Sequence, residues 1–281
     1  MKKILVTGAN GQLGSELAFL SSRYIHYEWI FADRTKITLD DLTLLKNQLE
    51  QIKPDIILNC GAYTAVDKAE SEKELAFTIN HLAVEAIAKF ASNKRAKLIH
   101  ISTDYVFDGS SSIALTEEAE TNPVNTYGAS KRSGEIACTI EDRNSIIIRT
   151  SWVYSKFGNN FVKTMQRLMQ EKESINVVNN QIGSPTYAAD LAQVIMDIVE
   201  SLNWIPGIYN YSNEGEISWY EFALSIKELG GYPCTVKGIP SESYPTPAKR
   251  PEFSLLDKSK IKKDYGLEVP HYKESLKKIF V

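Results

Sequence analysis

The sequence predicts an α/β fold, a doubly wound parallel sheet with a smaller C-terminal lobe. Three observations lead there. Short β-type runs alternate with helical stretches through the first 150 residues. Several runs are continuously apolar, as in Ile146-Ile147-Ile148, which suits strands covered on both faces. A glycine-rich turn joins the first run directly to the first helical stretch.

Taken in order, Ile4-Leu5-Val6-Thr7 reads as a buried strand and residues 11–21 as the helix that follows it. Residues 28–32 form a second strand, 41–51 a helix and 55–59 a third strand. A long helical stretch covers 72–91, a fourth strand 97–102, a helix 127–140 and a fifth strand 145–149. Beyond Arg149 the rhythm loosens, leaving helices over 160–171 and 188–202. Pro233, Pro240, Pro245, Pro247 and Pro251 then mark a loop-rich region rather than more sheet. The division expected is a sheet unit over 1–150, to which elements around 174–203 return, and a lobe over most of 151–281.

The bulk properties are those of an ordinary globular chain. Its 281 residues include 32 Lys and Arg against 35 Asp and Glu, a net charge of −3 that implies no pull toward nucleic acid or an anionic membrane. No apolar run approaches the roughly 20 residues that span a bilayer, and the N-terminal apolar stretch is too short for a signal peptide. Cys60, Cys138 and Cys234 are too few and too scattered for a disulfide framework or a zinc site. A cytoplasmic protein with free thiols is expected.

The first site signal is Gly8, Asn10, Gly11, Gln12, Leu13 and Gly14, a GxxGxxG loop between strand and helix. Glycine permits the tight turn and lets backbone approach a pyrophosphate, which the helix N-terminus then attracts. This is the Rossmann-type arrangement; the bland alternative is a tight turn without a ligand. Asp33 stands where a ribose-binding carboxylate is expected and Arg34 where a guanidinium meets the 2′-phosphate of NADP, so NADPH and NADH both stay open. The second signal is Tyr127 with Lys131 at i+4, on one helix face. An ammonium near a phenol favours the phenolate and makes a tuned general acid. Thr103, at the carboxyl end of the fourth strand, puts a hydroxyl where ligands bind in such sheets; its bland role is to cap local backbone.

These motifs resemble those of the extended short-chain dehydrogenases/reductases, in the branch that reduces dTDP-linked 4-keto sugars. The matching segments run nearly end to end: TGANGQLG at 7–14, AYTAVDKAE at 62–70, STDYVFDG at 102–109, YGASK at 127–131, RTSWVY at 149–154, GNNFVKTM at 158–165, QIGSPTY at 181–187 and KRPEFSLLD at 249–257. The resemblance implies a Rossmann-type dinucleotide unit, a substrate-binding lobe, and hydride transfer from NADPH or NADH to C4 of dTDP-4-dehydro-L-rhamnose. In that reaction Tyr127 donates the proton, Lys131 tunes it and holds the ribose, and Thr103 bonds the C4 oxygen. Gly61, Ala62 and Tyr63 are implied beneath the cofactor, and Thr38 and Leu39 near the adenine. Asp104, Val106, Trp152, Asn159, Gln181 and Arg250 are implied as sugar-nucleotide contacts, with Tyr154 a further stacking candidate.

A Mg²⁺ ion at a dimer interface is a weaker implication. Glu16 and Asp190 are its candidate ligands, but Ala189 stands where an acidic residue is wanted, so no metal site is assigned and a monomer or homodimer is expected. Tyr105 occupies the place of a dehydratase's glutamate, which argues against dehydration. An epimerase, a sister reductase of a related nucleotide 4-keto sugar and a non-catalytic regulatory subunit are the other readings. The last is disfavoured by the presence of Thr103, Tyr127 and Lys131 together.

Overall fold

A computed structural model describes residues 1–280. The chain opens with β1 (Lys2–Thr7), α1 (Gln12–Leu20), β2 (Tyr27–Ala32), α2 (Leu42–Ile52) and β3 (Ile56–Asn59). Next come α3 (Val66–Ala69), α4 (Lys73–Phe77), a π-helical turn at Thr78–Leu82, α5 (Ala83–Lys94), β4 (Lys97–Thr103), α6 (Thr126–Glu141) and β5 (Ile146–Thr150). The C-terminal part holds β6 (Val153–Tyr154), α7 (Phe161–Glu171), β7 (Ser174–Val178), β8 (Ile182–Gly183), β9 (Thr186–Tyr187) and α8 (Ala188–Glu200). It continues with β10 (Gly207–Asn210), β11 (Ile217–Ser218), α9 (Trp219–Gly230), β12 (Thr235–Ile239), α10 (Ser259–Tyr265) and α11 (Tyr272–Lys277).

The central sheet has six strands in the order β10-β5-β4-β3-β1-β2. Every pairing in it is parallel. From β1 the chain first builds outward to β2, then returns to place β3 on the other side. The order therefore reverses between β1 and β3, and a crevice opens there at the carboxyl ends of the strands.

Alternate residues of each strand feed two cores. Ile4, Val6, Ile56, Leu58, Ile146 and Ile148 pack with Leu13 and Leu17 of α1 and Leu191 and Ile195 of α8. Leu5, Ile57 and Ile147 pack with Leu45 and Leu49 of α2 and Val84 and Ile87 of α5 on the other face. Each such buried aliphatic side chain contributes ~1.5–3 kcal/mol. Continuous apolar strands thus follow from helices on both faces.

The later elements divide. Helix α8 returns to the sheet and packs on α1, and β10 extends the sheet beyond β5, a strand that the sequence pattern did not show. Strand β7, inside the same 174–203 segment, does not return: it pairs with β12 in the lobe. The lobe has its own core, including Tyr154, Met165, Tyr187, Phe222 and Tyr272. The expected single helix over 72–91 is split by the π turn, which turns Asn80 inward, 1% exposed. Among the described residues no helix is long and apolar enough to cross a membrane.

Candidate active site

A cleft of about 1060 Å³ lies over the carboxyl ends of β1, β3 and β4. The glycine loop forms one end. Gly8 has φ +65°, and an added Cβ would sit 2.7 Å from Gly61 Cα across the crevice. At Gly14 a Cβ would fall 2.4 Å from Gly8 O, so the first turn of α1 lies directly on the loop. Gly11 caps α1 without any side-chain bond, leaving the amides of the helix start facing the cleft. A cradle of this shape, at the positive end of a nine-residue helix, fits a dinucleotide pyrophosphate.

Asn10, Gln12 and Leu13 also line this end, as do Asp33, Arg34, Thr38, Leu39, Gly61, Ala62 and Tyr63. Asp33 Oδ1 accepts from Thr35 N, Thr35 Oγ1 and Lys36 N. These bonds hold its carboxyl below the usual carboxylate range and lock the turn. Arg34 is exposed beside it and makes no ion pair among the described residues. Thr38 donates to Arg34 O and closes the same loop. Gln12 donates to Val153 O and accepts from Asn160, tying the glycine loop to the lobe.

Helix α6 forms the middle of the cleft. Asn125 caps it, accepting from Gly128 N at 2.8 Å and donating to Lys249 O. The Glu70 carboxylate accepts from both Thr126 N and Thr126 Oγ1. Gly128 is required because a Cβ would lie 2.1 Å from Tyr105 O. Thus anchored, the helix presents Tyr127 and Lys131 to the cleft beside Thr103. Burial pushes the Tyr127 phenol up to about 12, the neighbouring Thr103 hydroxyl opposing the rise and Asp104 adding to it. The net shift is upward, burial outweighing what would ease the phenol downward. Lys131, 2% exposed, donates to Ile101 O at 2.6 Å, and burial brings its ammonium down to about 8. Thr103 accepts from Tyr105 N and donates to Asp104 Oδ1, so it caps local backbone as well as facing Tyr127. Burial raises the Asp104 carboxyl to about 6, the Ser254 and Thr103 hydroxyls pulling the other way.

At the lobe end the residues named in advance separate. Trp152 and Asn159 line the cleft. Trp152, held at φ +48°, stacks on Trp219 with ring centroids 3.7 Å apart. Val106 does not reach the cleft: it is fully buried with Phe107, Leu115 and Leu256, because the turn after β4 directs it into that small core. Gln181 is buried beside β8, away from the cleft lining. Arg250 is also outside it, its fork taken by Asp67 at 3.0 and 2.8 Å. Tyr154 belongs to the lobe core, stacked on Tyr187. Of the metal candidates, Glu16 accepts from Ser155, and Asp190 accepts from Asn213, Ser275 and Lys278. Among the described residues no three His, Cys, Asp or Glu gather as a metal site.

Several supporting residues are not among the site residues expected from the sequence. Asn80 accepts from Tyr63 N and donates to Tyr63 O and Ser130 Oγ, joining the loop after β3 to α6. Glu70 and Asn125 act at the start of α6, and Asp67 holds the 246–250 loop. Asp67 and Glu70 fall inside the 62–70 segment that the resemblance rests on, whereas Asn80 and its π turn need the fold to be seen.

The family described as the RmlD substrate binding domain matches residues 1–281. The chain is 38% identical to the dTDP-4-dehydrorhamnose reductase of Aggregatibacter actinomycetemcomitans, covering 99% of this chain and 98% of that one. It is also 38% identical to the spore coat polysaccharide biosynthesis protein SpsK of Bacillus subtilis, over 99% and 96% of the two chains. Among solved structures, the dTDP-4-dehydrorhamnose reductase of Bacillus anthracis in complex with NADP superposes with a TM-score of 0.95 at 38% identity, covering 100% of this chain and 99% of that one. With a match along its whole length and relatives of this identity and coverage, the chain belongs to the dTDP-4-dehydrorhamnose reductase family.

Proposed function

We propose that the protein is an NADPH-dependent reductase that converts the C4 ketone of dTDP-4-dehydro-L-rhamnose to the alcohol of dTDP-L-rhamnose. The observation that carries this reading is one cleft that joins the glycine cradle at the strand-order reversal to Tyr127, Thr103 and Lys131. Residues 1–150 with α8 and β10 hold the dinucleotide, and most of 151–281 shapes the sugar-nucleotide end.

Bound NADPH supplies the hydride to the ketone carbon. Tyr127 gives its phenolic proton to the ketone oxygen as that oxygen gains negative charge. An alkoxide is a far stronger base than a phenolate, so the transfer runs downhill even from a phenol at about 12. Thr103 donates a second hydrogen bond to the same oxygen, releasing Asp104 to do so. Lys131 keeps a positive charge behind the phenolate left on Tyr127, in a site too dry for water to screen it. Asp33 serves as the lock of its turn, and the exposed Arg34 meets the 2′-phosphate that distinguishes NADPH from NADH. Asp104, Trp152 and Asn159 contact the sugar nucleotide. Three free cysteines suit a reducing cytoplasm. The protein works there on a dTDP-sugar as monomer or homodimer, without nucleic acid or membrane.

The test is purified protein mixed with dTDP-4-dehydro-L-rhamnose generated in situ, with NADPH loss and sugar product followed together and Tyr127→Phe run in parallel. Turnover that collapses in the variant supports the reading; a wild-type chain that binds NADPH and turns over nothing overturns it.

A further inference from the structure

Lys131 is almost completely buried yet has no carboxylate partner. The one acid within reach along its helix, Glu135, is held by Arg149 through two bonds of 2.8 Å and by Arg132 at 3.1 Å. What faces the Lys131 ammonium is the carbonyl of Ile101 and, 3.4 Å away, Nε2 of His100. His100 is 0% exposed and belongs to β4, the strand that ends in Thr103. Its other nitrogen, Nδ1, lies 3.0 Å from the Asn59 side-chain amide at the end of β3. Asn59 presents Nδ2 to that nitrogen, and its Oδ1 accepts at 2.7 Å from Thr7 Oγ1 at the end of β1, which itself accepts from Gly61 N. Thr7, Asn59, His100 and Lys131 therefore form one buried chain. It crosses β1, β3 and β4 beneath the cleft, from the glycine loop to the catalytic helix.

The chain is constrained by the number of protons it can hold. Burial keeps the imidazole far below its usual range, with the Lys131 charge adding to the effect, so His100 is neutral and carries one ring proton. A proton on Nε2 would set two donors head-on whenever Lys131 is an ammonium. A charged Lys131 needs the ring proton on Nδ1, which requires the Asn59 amide turned end for end from the orientation above, so that Oδ1 accepts from Nδ1. In that orientation the Asn59 Nδ2 donates to Thr7 Oγ1 in place of the bond Thr7 now donates to Oδ1, and the two lone pairs of the hydroxyl serve Nδ2 and Gly61 N. The heavy-atom distances are the same for either orientation of the amide.

We infer that His100, oriented by Asn59 and Thr7, is a positioning residue for the catalytic lysine, its neutral imidazole accepting from the Lys131 ammonium and holding it behind Tyr127. The inference rests on the reading of the cleft as a reductase site. The other titratable groups acting on Lys131 are Glu135 and the thiols of Cys60 and Cys138, and Tyr127 lines the same cleft. Burial raises both thiols to about 12, so they are uncharged at neutral pH, and Glu135 is already paired. The imidazole is then the only neutral side-chain acceptor on the ammonium among the described residues.

Two measurements test this on the full chain. First, the pH dependence of kcat is recorded for wild type, His100→Phe and His100→Gln. Removing the acceptor destabilises the ammonium, so in His100→Phe the alkaline limb moves down by about one pH unit. Activity near neutrality falls with it and returns on the acid side. His100→Gln, whose amide oxygen accepts, keeps the wild-type limb. A uniform loss at every pH, or an unmoved limb in folded His100→Phe, overturns the inference. If His100→Phe does not fold by circular dichroism, Asn59→Ala carries the same expectation in smaller degree. Second, nitrogen-15 NMR of histidine-labelled protein, with the His100 signals assigned by the glutamine variant, reads the tautomer without any turnover. A neutral ring protonated on Nδ1 below the Lys131 titration is expected; an Nε2-protonated ring there overturns the role. An inactive wild type would defeat the reading of the cleft, whereas an active wild type with an unmoved limb defeats only the role of His100.

Discussion

The two ends of the cleft are built by different means. The dinucleotide end is mostly backbone, where Gly8 and Gly14 meet neighbouring backbone too closely for any Cβ and Gly11 leaves a helix start open. The sugar end is side chains gathered from distant segments. Thr103 comes from β4 and Tyr127 from α6, Trp152 is propped by Trp219, and the 246–250 loop is pinned by Asp67 and Asn125. Recognition of the cofactor is thus written in local spacing, while recognition of the sugar depends on long-range packing. A side-chain wall can be altered one residue at a time; most of a backbone wall cannot be altered without moving the fold.

The sharpest separation of the two ends is Tyr127→Phe. Loss of the proton donor lowers kcat by ~10²–10⁴-fold. NADPH affinity, measured by fluorescence titration, stays at the wild-type value because the glycine cradle is untouched. A comparable loss of NADPH binding would show that the two ends are not independent. Next in size is Asp104, whose carboxyl rises from 3.8 to about 6 on burial. A shift of this sign gives stability that is fully present below the unfolded value and is lost as pH climbs through about 6. Two pH units correspond to ~3 kcal/mol. Asp104→Asn does not titrate, so its unfolding free energy relative to wild type should rise by ~3 kcal/mol between acid and mildly alkaline pH. Parallel pH curves in urea unfolding would place the Asp104 carboxyl in water rather than in the wall.

The same contrast explains what the sequence made legible. The parallel sheet was readable because Ile4-Leu5-Val6 and Ile146-Ile147-Ile148 supply both cores at once. The glycines of the 8–14 loop and the Tyr127–Lys131 pair are local patterns, and all of these residues line the cleft. Val106 was misplaced because one residue separates a cleft-facing position from a core-facing one after a strand ends. The pairing of Arg250 with Asp67 is not legible because the two lie 183 residues apart. Strand β10 is four residues long and pairs only with β5, too short a run to show periodicity. His100 looked like one more strand residue; only the register of β3 against β4 brings Asn59 beside it.

The backbone end can be broken in two distinguishable ways. Gly14→Ala places a Cβ 2.4 Å from Gly8 O and 2.7 Å from Ala9 Cα, both backbone that cannot step aside. The helix preference for alanine returns at most ~1 kcal/mol, whereas overpacking costs ~1–3 kcal/mol. A net loss of stability with weaker NADPH binding is expected. At Gly11 the only neighbour of an added Cβ is Gly8 O at 3.1 Å, so Gly11→Ala should fold nearly as wild type and lose NADPH affinity alone. Equal stability losses in both variants would mean that Gly11 serves the turn and not the phosphate.

The smallest effect, and the one that bears most directly on the sugar end, concerns Arg250 and Asp67. Their side chains are 24% and 41% exposed, so breaking the pair costs less than ~1 kcal/mol. Asp67 also accepts from Ala248 N, and Asn125 donates to Lys249 O, so the pair is one of three ties that hold the 246–250 loop to α3 and α6. If Arg250 acts only as such a tie, Arg250→Ala and Asp67→Ala loosen the same loop. Both should then raise the sugar-nucleotide KM a few-fold, Asp67→Ala at least as much as Arg250→Ala because it also frees Ala248 N, with kcat and NADPH affinity held. If the guanidinium instead leaves Asp67 for the substrate's diphosphate, the carboxylate is its competitor, and the variants must diverge: Asp67→Ala lowers KM while Arg250→Ala raises it. The bidentate geometry, together with the place of Arg250 outside the cleft lining, favours the first outcome. Opposite signs in the two KM values would return Arg250 to the substrate and make Asp67 a stand-in for phosphate.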